Sequence, residues 1–318
     1  MSGITGKECV VIGTRASALA VWQADYVADK LRKEYPGLAV EKKLMTTKGD
    51  RILDAPLAKI GGKGLFTKEL EQEMLAGGID LAVHSLKDMP TALPDGLCLA
   101  AITKRLYSGD AVVSPRWQKF RDLPRGAKVG TSSLRRKAQL LHVRPDLDIR
   151  DLRGNVNTRL QKLEDEKFDA IILAIAGLKR LGFGNRITDI LPRSICLPAV
   201  GQGALAIEAR EDDAEVRGMV AFLNDEESAA CSRVERAFLA RVEGGCQVPV
   251  GVQAVRVEDD VLEAEAVIAS LDGQRLYRNR LRSSFANAEL LGIQLADRLL
   301  DAGGLAILHE IGLLLDRK

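Results

Sequence analysis

Apolar positions in the first two thirds of the chain form short runs that alternate with amphipathic segments. The runs predict strands and the segments predict helices, and their alternation indicates an α/β fold. The predicted strands cover residues 10–12, 40–45, 79–83, 97–102, 128–130, 147–152 and 170–175. The predicted helices cover residues 17–32, 66–75, 133–141 and 158–166.

This series contains a faint internal repeat. Residues 13–17 (Gly-Thr-Arg-Ala-Ser) and 130–133 (Gly-Thr-Ser-Ser) each end a predicted strand and begin a predicted helix. The strand that starts at Asp80 and leads to Lys87 is echoed by the strand that starts at Asp169 and leads to Lys179. The repeat predicts two similar α/β lobes that face one cleft.

The last third of the chain has a different pattern. A helix is predicted over 228–241, and residues 250–257, 261–268 and 274–281 alternate like strands. The turns at 259–260 and 272–273 predict a three-stranded antiparallel sheet. Helices over the leucines at 291, 295 and 299, and over 304–315, complete a small α+β domain.

The composition is that of an ordinary globular protein, with 46% hydrophobic and 28% charged residues among 318. A net charge of +2 argues against nucleic-acid binding, and the longest apolar runs are too short to span a membrane. The first seven residues contain no apolar signal-peptide core, so we expect a cytoplasmic protein. Five cysteines without a Cys-x-x-Cys pair and three scattered histidines predict no disulfide framework and no metal site.

Hydroxyl groups at two predicted helix N-termini, Ser17 in the first and Thr131 and Ser133 in the second, are suited to bind anions. For the two serines taken alone, plain helix capping without any ligand is the favoured explanation. Arg135 and Arg136, however, lie in a first helical turn, where positive charge opposes the helix dipole. Their position favours a functional role.

Residues 134–160 contain seven Arg and Lys against three Asp, including Arg153, Asn155 and Arg159. A solvated helix face is one interpretation. RNA binding is another, but the stretch has no aromatic residue on which bases could stack. Arginines fixed on short turns are better suited to bidentate recognition of carboxylates.

The segment 59–66 is rich in glycine and carries Lys59, Lys63 and Phe66. It lacks the Lys-Ser/Thr ending of a nucleotide-binding P-loop. We therefore interpret it as a mobile basic flap in which Phe66 could stack on a ligand.

Asp88 follows Lys87 just after a predicted buried strand, where α/β proteins place their ligands. A lone aspartate is more often a turn residue. Among so many anion-binding elements, however, a carboxylate is expected where a cation must be stabilised. Cys246 lies in a loop with two preceding glycines and Pro249, which indicates a thiol presented on a turn.

Taken together, these motifs resemble the porphobilinogen deaminase (hydroxymethylbilane synthase) family of tetrapyrrole biosynthesis over essentially the whole chain. The resemblance rests on seven segments in order, at residues 13–17, 61–66, 84–88, 130–136, 153–155, 197–203 and 244–249. It implies two lobes similar to periplasmic-binding-protein halves, with mixed sheets around a cleft, and the small C-terminal domain. The implied boundaries are 1–103 with 200–221, 104–199, and 222–318.

The resemblance also implies an activity. A transferase of this family joins four porphobilinogen molecules head to tail, releases ammonia each time, and finally hydrolyses off hydroxymethylbilane. The chain grows on a dipyrromethane cofactor held by a thioether to Cys246. Asp88 would hold pyrrole N–H groups, stabilise the azafulvene cation left by ammonia loss, and assist proton transfer.

The remaining site residues implied by the resemblance bind the carboxylates and polar groups of the pyrroles. Those expected at the cofactor are Ser17, Ser85, Lys87, Thr131, Ser133, Arg135, Arg136, Arg159 and Gln202. Those expected at the substrate are Arg15, Lys59, Lys63, Phe66, Arg153, Asn155 and Arg180. The family suggests a monomer without nucleic-acid or membrane partners, which hands its product to the next enzyme of the pathway.

The chain departs from the family at residues 105–110, Arg-Leu-Tyr-Ser-Gly-Asp, where Arg-Glu-Asp-Pro-Arg-Asp is common. This segment is the connection between the first two lobes. Because the second arginine and the proline are missing, the resemblance does not predict how stiff this connection is. A non-catalytic clamp that binds a small dicarboxylate is an alternative function, but it explains neither Asp88 nor Cys246. A hydrolase with a thiol nucleophile would explain Cys246, yet no motif offers a histidine to activate it.

Overall fold

A computed structural model describes residues 6–51, 64–242 and 248–312. The chain divides into two units, and it passes between them after residues 105, 203 and 229. The first unit contains residues 6–51, 64–105 and 204–229 of the described chain. The second contains residues 106–203, 230–242 and 248–312.

A five-stranded mixed sheet forms the centre of the first unit. Its strands are β1 (Cys9–Arg15), β2 (Ala39–Met45), β3 (Leu81–Ser85), β4 (Leu97–Ile102) and β10 (Leu205–Arg210). The spatial order is β2-β1-β3-β10-β4. Strands β2, β1 and β3 are parallel, whereas β10 runs antiparallel to both of its neighbours.

A second five-stranded mixed sheet belongs to the other unit. Its strands are β5 (Asp110–Val113), β6 (Lys128–Gly130), β7 (Asp148–Arg150), β8 (Ala170–Ala174) and β9 (Asp189–Ile190). They are ordered β7-β6-β8-β5-β9, with β5 antiparallel to both neighbours. Order and direction therefore repeat those of the first sheet.

The register of the two sheets repeats as well. Gly13 on β1 pairs with Ala82 on β3, and Gly130 on β6 pairs with Ile171 on β8. This register confirms the repeat that the sequence suggested, and it makes each position of one sheet comparable with a position of the other.

Ten α-helices lie in the described ranges. Their bounds are α1 Ala18–Glu34, α2 Lys48–Arg51, α3 Lys68–Leu75, α4 Leu134–Val143, α5 Val156–Asp165, α6 Ile175–Arg180, α7 Ala214–Val220, α8 Glu226–Arg241, α9 Ala288–Leu299 and α10 Leu305–Glu310. Helix α1 packs Ala24, Val27 and Leu31 against apolar strand residues of the first sheet. Of these helices, none is both long and apolar enough to cross a membrane.

The C-terminal part of the second unit is a three-stranded antiparallel sheet covered by helices. Its strands are β11 (Val250–Glu258), β12 (Val261–Ala269) and β13 (Leu276–Ser284). Leu291, Leu295 and Leu299 of α9 are buried in one core with Val234 and Phe238 of α8. The predicted i, i+4, i+8 leucine pattern therefore marks the face of α9 that is buried in this core.

The α/β class, the mixed sheets and the antiparallel C-terminal sheet are confirmed. Strands β5, β9 and β10 and helices α2, α6 and α7 are additional elements that the sequence patterns did not separate from their surroundings. The last predicted helix, 304–315, extends beyond the described residues at its end, and the helix that is described there ends at Glu310.

Candidate active site

One pocket of the first unit collects most of the residues predicted there. It lies where β1, β3 and α1 meet the turn that precedes α3, and polar and charged side chains form much of its wall. Its lining residues are Arg15, Ser17, Leu19, Ala20, Gln23, Phe66, Thr67, Val83, His84, Ser85 and Asp88. The sequence predicted five of these, namely Arg15, Ser17, Phe66, Ser85 and Asp88.

Arg15 and Phe66 form a cation–π pair in this wall. The guanidinium carbon of Arg15 lies 4.3 Å from the centre of the Phe66 ring. Arg15 is half-buried, and such stacking orients a guanidinium group for bidentate binding of a carboxylate. The pair combines an anion-binding group with an aromatic surface.

The two serines of the pocket have different local partners. Ser85 Oγ accepts a hydrogen bond from Gln23 Nε2 at 2.8 Å, which leaves the hydroxyl hydrogen of Ser85 able to donate. Ser17 Oγ accepts from the backbone N of Ala20 at 3.3 Å and caps α1. The capping interpretation of Ser17 is therefore correct, and the residue also lines the pocket.

Asp88 ends a single 3₁₀ turn, Leu86–Asp88, that follows directly on β3. Leu86 is buried and anchors this turn, and its backbone N donates to the Ala204 carbonyl at 3.1 Å. Lys87 and Asp88 are half-buried. Asp88 lines the pocket, and within the described part of the chain no basic side chain forms a salt bridge with its carboxylate.

In the second unit, Arg135 and Arg136 converge on Asp110, which is fully buried. Arg135 Nη1 lies 2.7 Å from Asp110 Oδ2, and Arg136 Nη2 lies 2.6 Å from Asp110 Oδ1. The same Arg135 nitrogen donates to the Leu197 carbonyl, and Arg136 Nη1 donates to the Ile172 carbonyl. Both arginines therefore belong to a buried ion cluster, and their assignment to a cofactor stays a prediction.

Asp110 explains why two arginines are tolerated in the first turn of α4. Burial by itself raises the pKa of the Asp110 carboxyl, but the two guanidinium groups outweigh burial and hold that pKa far below its ordinary value. The carboxylate thus neutralises charge that would oppose the helix dipole. Cys196 lies 3.3 Å from Arg135 Nη1, and burial raises the pKa of its thiol to about 12.

Gln202 links the Asp110 cluster to the loop 199–203. Its Nε2 donates to Asp110 Oδ1 at 3.0 Å and to the Ser108 carbonyl at 2.7 Å. Arg180 Nη2 donates to the carbonyl of Gly203 at 2.8 Å. Gly203 has a φ of 98°, and a Cβ there would lie 2.5 Å from the Leu106 carbonyl oxygen, so only glycine fits this position.

The remaining predicted residues of the second unit lie at two helix N-termini. Ser133 caps α4, and its backbone N donates to Thr131 Oγ1 at 3.2 Å. Asn155 caps α5 through the Thr158 N, and Arg159 Nε donates to the Gly154 carbonyl at 2.8 Å. Arg153 precedes this turn and is half-buried.

Three predicted residues lie outside the described residues. They are Lys59, Lys63 and Cys246. The flap hypothesis for 59–66 and the attachment of a cofactor at Cys246 therefore stay predictions. Of the three flap side chains predicted to bind a ligand, the structure describes Phe66.

The side chains that line the pocket of the first unit suit the chemical groups of a pyrrole that carries carboxylates. A guanidinium group suits the acetate and propionate side chains, a carboxylate suits the pyrrole N–H, and an aromatic face suits the ring. Sequence analysis missed Gln23, His84 and Glu208, which lie in or behind this pocket. The sequence signal that could have identified such a residue is a polar side chain within an otherwise apolar strand, as Glu208 is in β10.

Comparison with known proteins identifies the family. The sequence model described as "Porphobilinogen deaminase, dipyromethane cofactor binding domain" matches residues 10–218. The model described as "Porphobilinogen deaminase, C-terminal domain" matches residues 229–301. Together the two matches span most of the chain.

Relatives named porphobilinogen deaminase are similar over nearly the full length. The protein of Geobacter metallireducens is 53% identical over 300 residues, covering 94% of each chain. That of Chlorobium chlorochromatii is 50% identical over 309 residues, covering 96% of this chain and 98% of the relative.

Among solved structures, a nutrient binding protein from Burkholderia cenocepacia bound to methionine is 16% identical, with a TM-score of 0.42 and coverage of 66% and 90% of the two chains. The periplasmic VFT2 domain of Bordetella pertussis BvgS is 14% identical, with a TM-score of 0.42 and coverage of 67% and 86%. The two family models and the relatives at about half identity carry the conclusion: the chain belongs to the porphobilinogen deaminase family.

Proposed function

We propose that the protein is a hydroxymethylbilane synthase, which joins four porphobilinogen molecules head to tail and releases one ammonia per addition. The observation that carries the proposal is the gathering of Asp88, Arg15, Phe66 and Ser85 in one pocket of a chain of this family. A clamp that only binds a dicarboxylate would need the arginine, but it would not need a carboxylate beside it.

Asp88 is the catalytic residue of this proposal. When ammonia leaves the aminomethyl group of porphobilinogen, positive charge develops on the pyrrole that remains. The Asp88 carboxylate accepts the pyrrole N–H and stabilises that charge, an effect that is strong in a partly dehydrated pocket. Asp88 is half-buried and lines the pocket, and among the described residues no basic side chain forms a salt bridge with it.

Binding of the substrate carboxylates falls to the basic groups. Arg15, oriented by Phe66, binds an acetate or propionate group, and the Ser85 hydroxyl adds a neutral hydrogen bond. Lys59, Lys63, Arg153 and Arg180 are proposed for the further carboxylates that accumulate as the product lengthens.

We propose Cys246 as the attachment point of the dipyrromethane cofactor through a thioether. When attached, the cofactor supplies the free α-carbon at which the pyrrole chain is extended. The residues proposed to hold its carboxylates and N–H groups are Ser17, Ser85, Lys87, Thr131, Ser133, Arg135, Arg136, Arg159 and Gln202. The thiol itself takes no part in turnover once it is alkylated.

The intact mass of the purified protein tests this proposal. We expect an excess mass equal to two linked pyrrole units, present in the native protein and absent in Cys246→Ala. Cys98→Ala, which removes a half-buried thiol of the first unit, is the matched control and keeps the excess mass. An active protein without added mass would refute the cofactor assignment.

We further propose that the enzyme acts in the cytoplasm as a monomer and passes hydroxymethylbilane to the next enzyme of the pathway. A linear tetrapyrrole that is left free in water can react further by itself, so direct transfer would protect it. Sedimentation of the loaded protein at several concentrations tests the monomer, and a mass that increases with concentration would contradict it.

A further inference from the structure

A buried pair of titratable side chains lies behind the Asp88 pocket. His84 Nε2 is 3.0 Å from Glu208 Oε2, and the two side chains are 4% and 0% exposed. His84 also lines the pocket together with Asp88. The pair joins β3 to β10, through two residues that are 124 positions apart in the sequence.

The other sheet shows that the fold does not require this pair. The register places Ala206 opposite His84 and Ala82 opposite Glu208 in the first sheet. The two sheets are aligned by their equivalent pairs Gly13–Ala82 and Gly130–Ile171. In this alignment Leu173 of the second sheet occupies the position of His84, and Val113 occupies the position of Glu208. Both are buried in one apolar cluster that includes leucines of α5.

An apolar pair at these positions is the better choice for stability alone. A buried ion pair is often no more stable than well-packed hydrophobic residues of similar volume. In addition, Glu208 Oε1 is buried and has no hydrogen-bond donor among the described residues. An unsatisfied buried acceptor is unfavourable, so retention of the polar pair on the pocket side calls for a functional reason.

The geometry fixes which nitrogen of His84 is available. Because Nε2 faces the Glu208 carboxylate, a neutral imidazole donates its hydrogen there and carries its lone pair on Nδ1. No described group forms a hydrogen bond with Nδ1. In this tautomer Nδ1 is the basic nitrogen of a ring that lines the pocket, and the Glu208 carboxylate holds the ring through its other nitrogen.

The other charged groups near the His84 imidazole do not replace Glu208 as its hydrogen-bond partner. Glu71 of α3 packs behind the same strands, and burial, reinforced by the Glu208 carboxylate, raises the pKa of Glu71. Its carboxyl therefore keeps its proton more readily, and Glu208 is the carboxylate that orients the ring. On the pocket side, the charged groups near His84 are Asp88 and Arg15.

We propose that His84, oriented by Glu208, is a second catalytic residue of the pocket and accepts the proton that each addition releases. This inference rests on the proposed function. After the free α-carbon of the terminal pyrrole of the bound chain attacks the methylene carbon that ammonia has left, the α-carbon–hydrogen bond of that terminal pyrrole breaks, and its electron pair restores the aromatic ring. The proton forms a bond to Nδ1, the Glu208 carboxylate stabilises the imidazolium, and water takes the proton before the next addition.

His84→Gln is the decisive variant, because the glutamine amide can still donate to Glu208 while the base at Nδ1 is lost. We expect kcat per loaded molecule to fall about 100-fold with little change in KM. Porphobilinogen with deuterium at its free α-carbon should then show a primary isotope effect that the native enzyme lacks. Glu208→Gln, which disturbs the positioning residue, should show the same effect with a smaller loss.

The double variant His84→Leu/Glu208→Val copies the pair found in the second sheet and separates folding from catalysis. We expect thermal unfolding at or above the native temperature together with a loss of turnover as large as that of His84→Gln. Tyr35→Phe, which removes a hydrogen bond to the Met219 carbonyl in the same unit, is the control with native turnover.

Native kcat in His84→Gln without an isotope effect would overturn this inference. So would full activity of the double variant. If the double variant does not fold, the turnover and isotope effect of His84→Gln still test the catalytic role of His84. Failure of the proposed function itself is distinguishable, because the native enzyme would then release no ammonia from porphobilinogen.

Discussion

Asp80 and Asp169 occupy the same position in the two five-stranded sheets and make the same hydrogen bonds. Asp80 Oδ2 accepts from Val11 N at 2.7 Å, and Asp169 Oδ2 accepts from Lys128 N at 2.8 Å. The backbone N of each aspartate in turn donates to the carbonyl of the same partner, at 2.9 and 2.8 Å. Each aspartate thereby fixes the start of a parallel strand pair.

Alanine at either aspartate should destabilise the fold by a similar amount. Each substitution leaves a backbone N–H without its charged acceptor, which should cost about 1.5–3 kcal/mol in the free energy of unfolding. The variants Asp80→Asn and Asp169→Asn retain an oxygen acceptor, so they should lose clearly less. Urea unfolding measures both pairs of variants, and a large loss at one position with none at the other would contradict their equivalence.

Removing the charge of Asp110 should destabilise the second unit strongly. Asp110→Asn leaves two buried guanidinium groups without their counter-ion, and breaking such a cluster costs about 3–5 kcal/mol. Asp148→Asn, which breaks an exposed pair with Arg150, is the control and should change stability by less than about 1 kcal/mol.

The same carboxylate should also govern stability in acid. The folded-state pKa of Asp110 lies below its unfolded value of about 3.9, so its contribution is complete above that value and is lost as the pH falls below it. The native protein should therefore lose stability steeply below about pH 4, and Asp110→Asn should show a shallower decline. Equal slopes for the two proteins in urea titrations between about pH 4 and pH 2 would contradict this assignment.

Asp88→Asn should abolish most of the turnover while leaving the fold intact. The amide keeps the size of the carboxylate but loses the charge that stabilises the cation, so ammonia release should fall about 100- to 10,000-fold. Asp95→Asn in the exposed turn before β4 is the control with native activity. Near-normal ammonia release from Asp88→Asn would remove its catalytic role.

Arg15 and Phe66 should act on binding more than on chemistry. Arg15→Ala removes a half-buried carboxylate partner and should weaken binding by about 2 kcal/mol, which appears as a higher KM. Phe66→Leu removes only the stacking partner and should cost about 0.5–1 kcal/mol. Steady-state kinetics on loaded protein measure both, and a fall in kcat at unchanged KM would contradict a binding role.

Much of the site could be anticipated from short-range signals. Asp88 and Ser85 follow a buried strand, and Arg15 lies at the end of another, so the position of each relative to the sheet is encoded by the apolar runs. The N-caps at Ser17, Ser133 and Asn155 depend on equally local signals, because a cap bonds to a backbone N–H only three residues away.

Other features had no local signal. The dipole argument favoured a functional role for Arg135 and Arg136, but it could not indicate that the Asp110 carboxylate pairs with both of them. The residue lies 25 positions before Arg135 and on a strand, β5, that the sequence pattern did not reveal.

By itself, the sequence determined the order of most strands and helices, the helix caps at Ser17 and Ser133, and the motifs that place the chain in its family, because hydrophobic periodicity and capping act within a few residues. Only the tertiary structure decided that β5 and β10 insert antiparallel into their sheets and that His84 meets Glu208 behind Asp88. The His84–Glu208 pairing joins residues more than a hundred positions apart. Such pairings depend on which strands become neighbours when the whole core packs, and no local pattern carries that information.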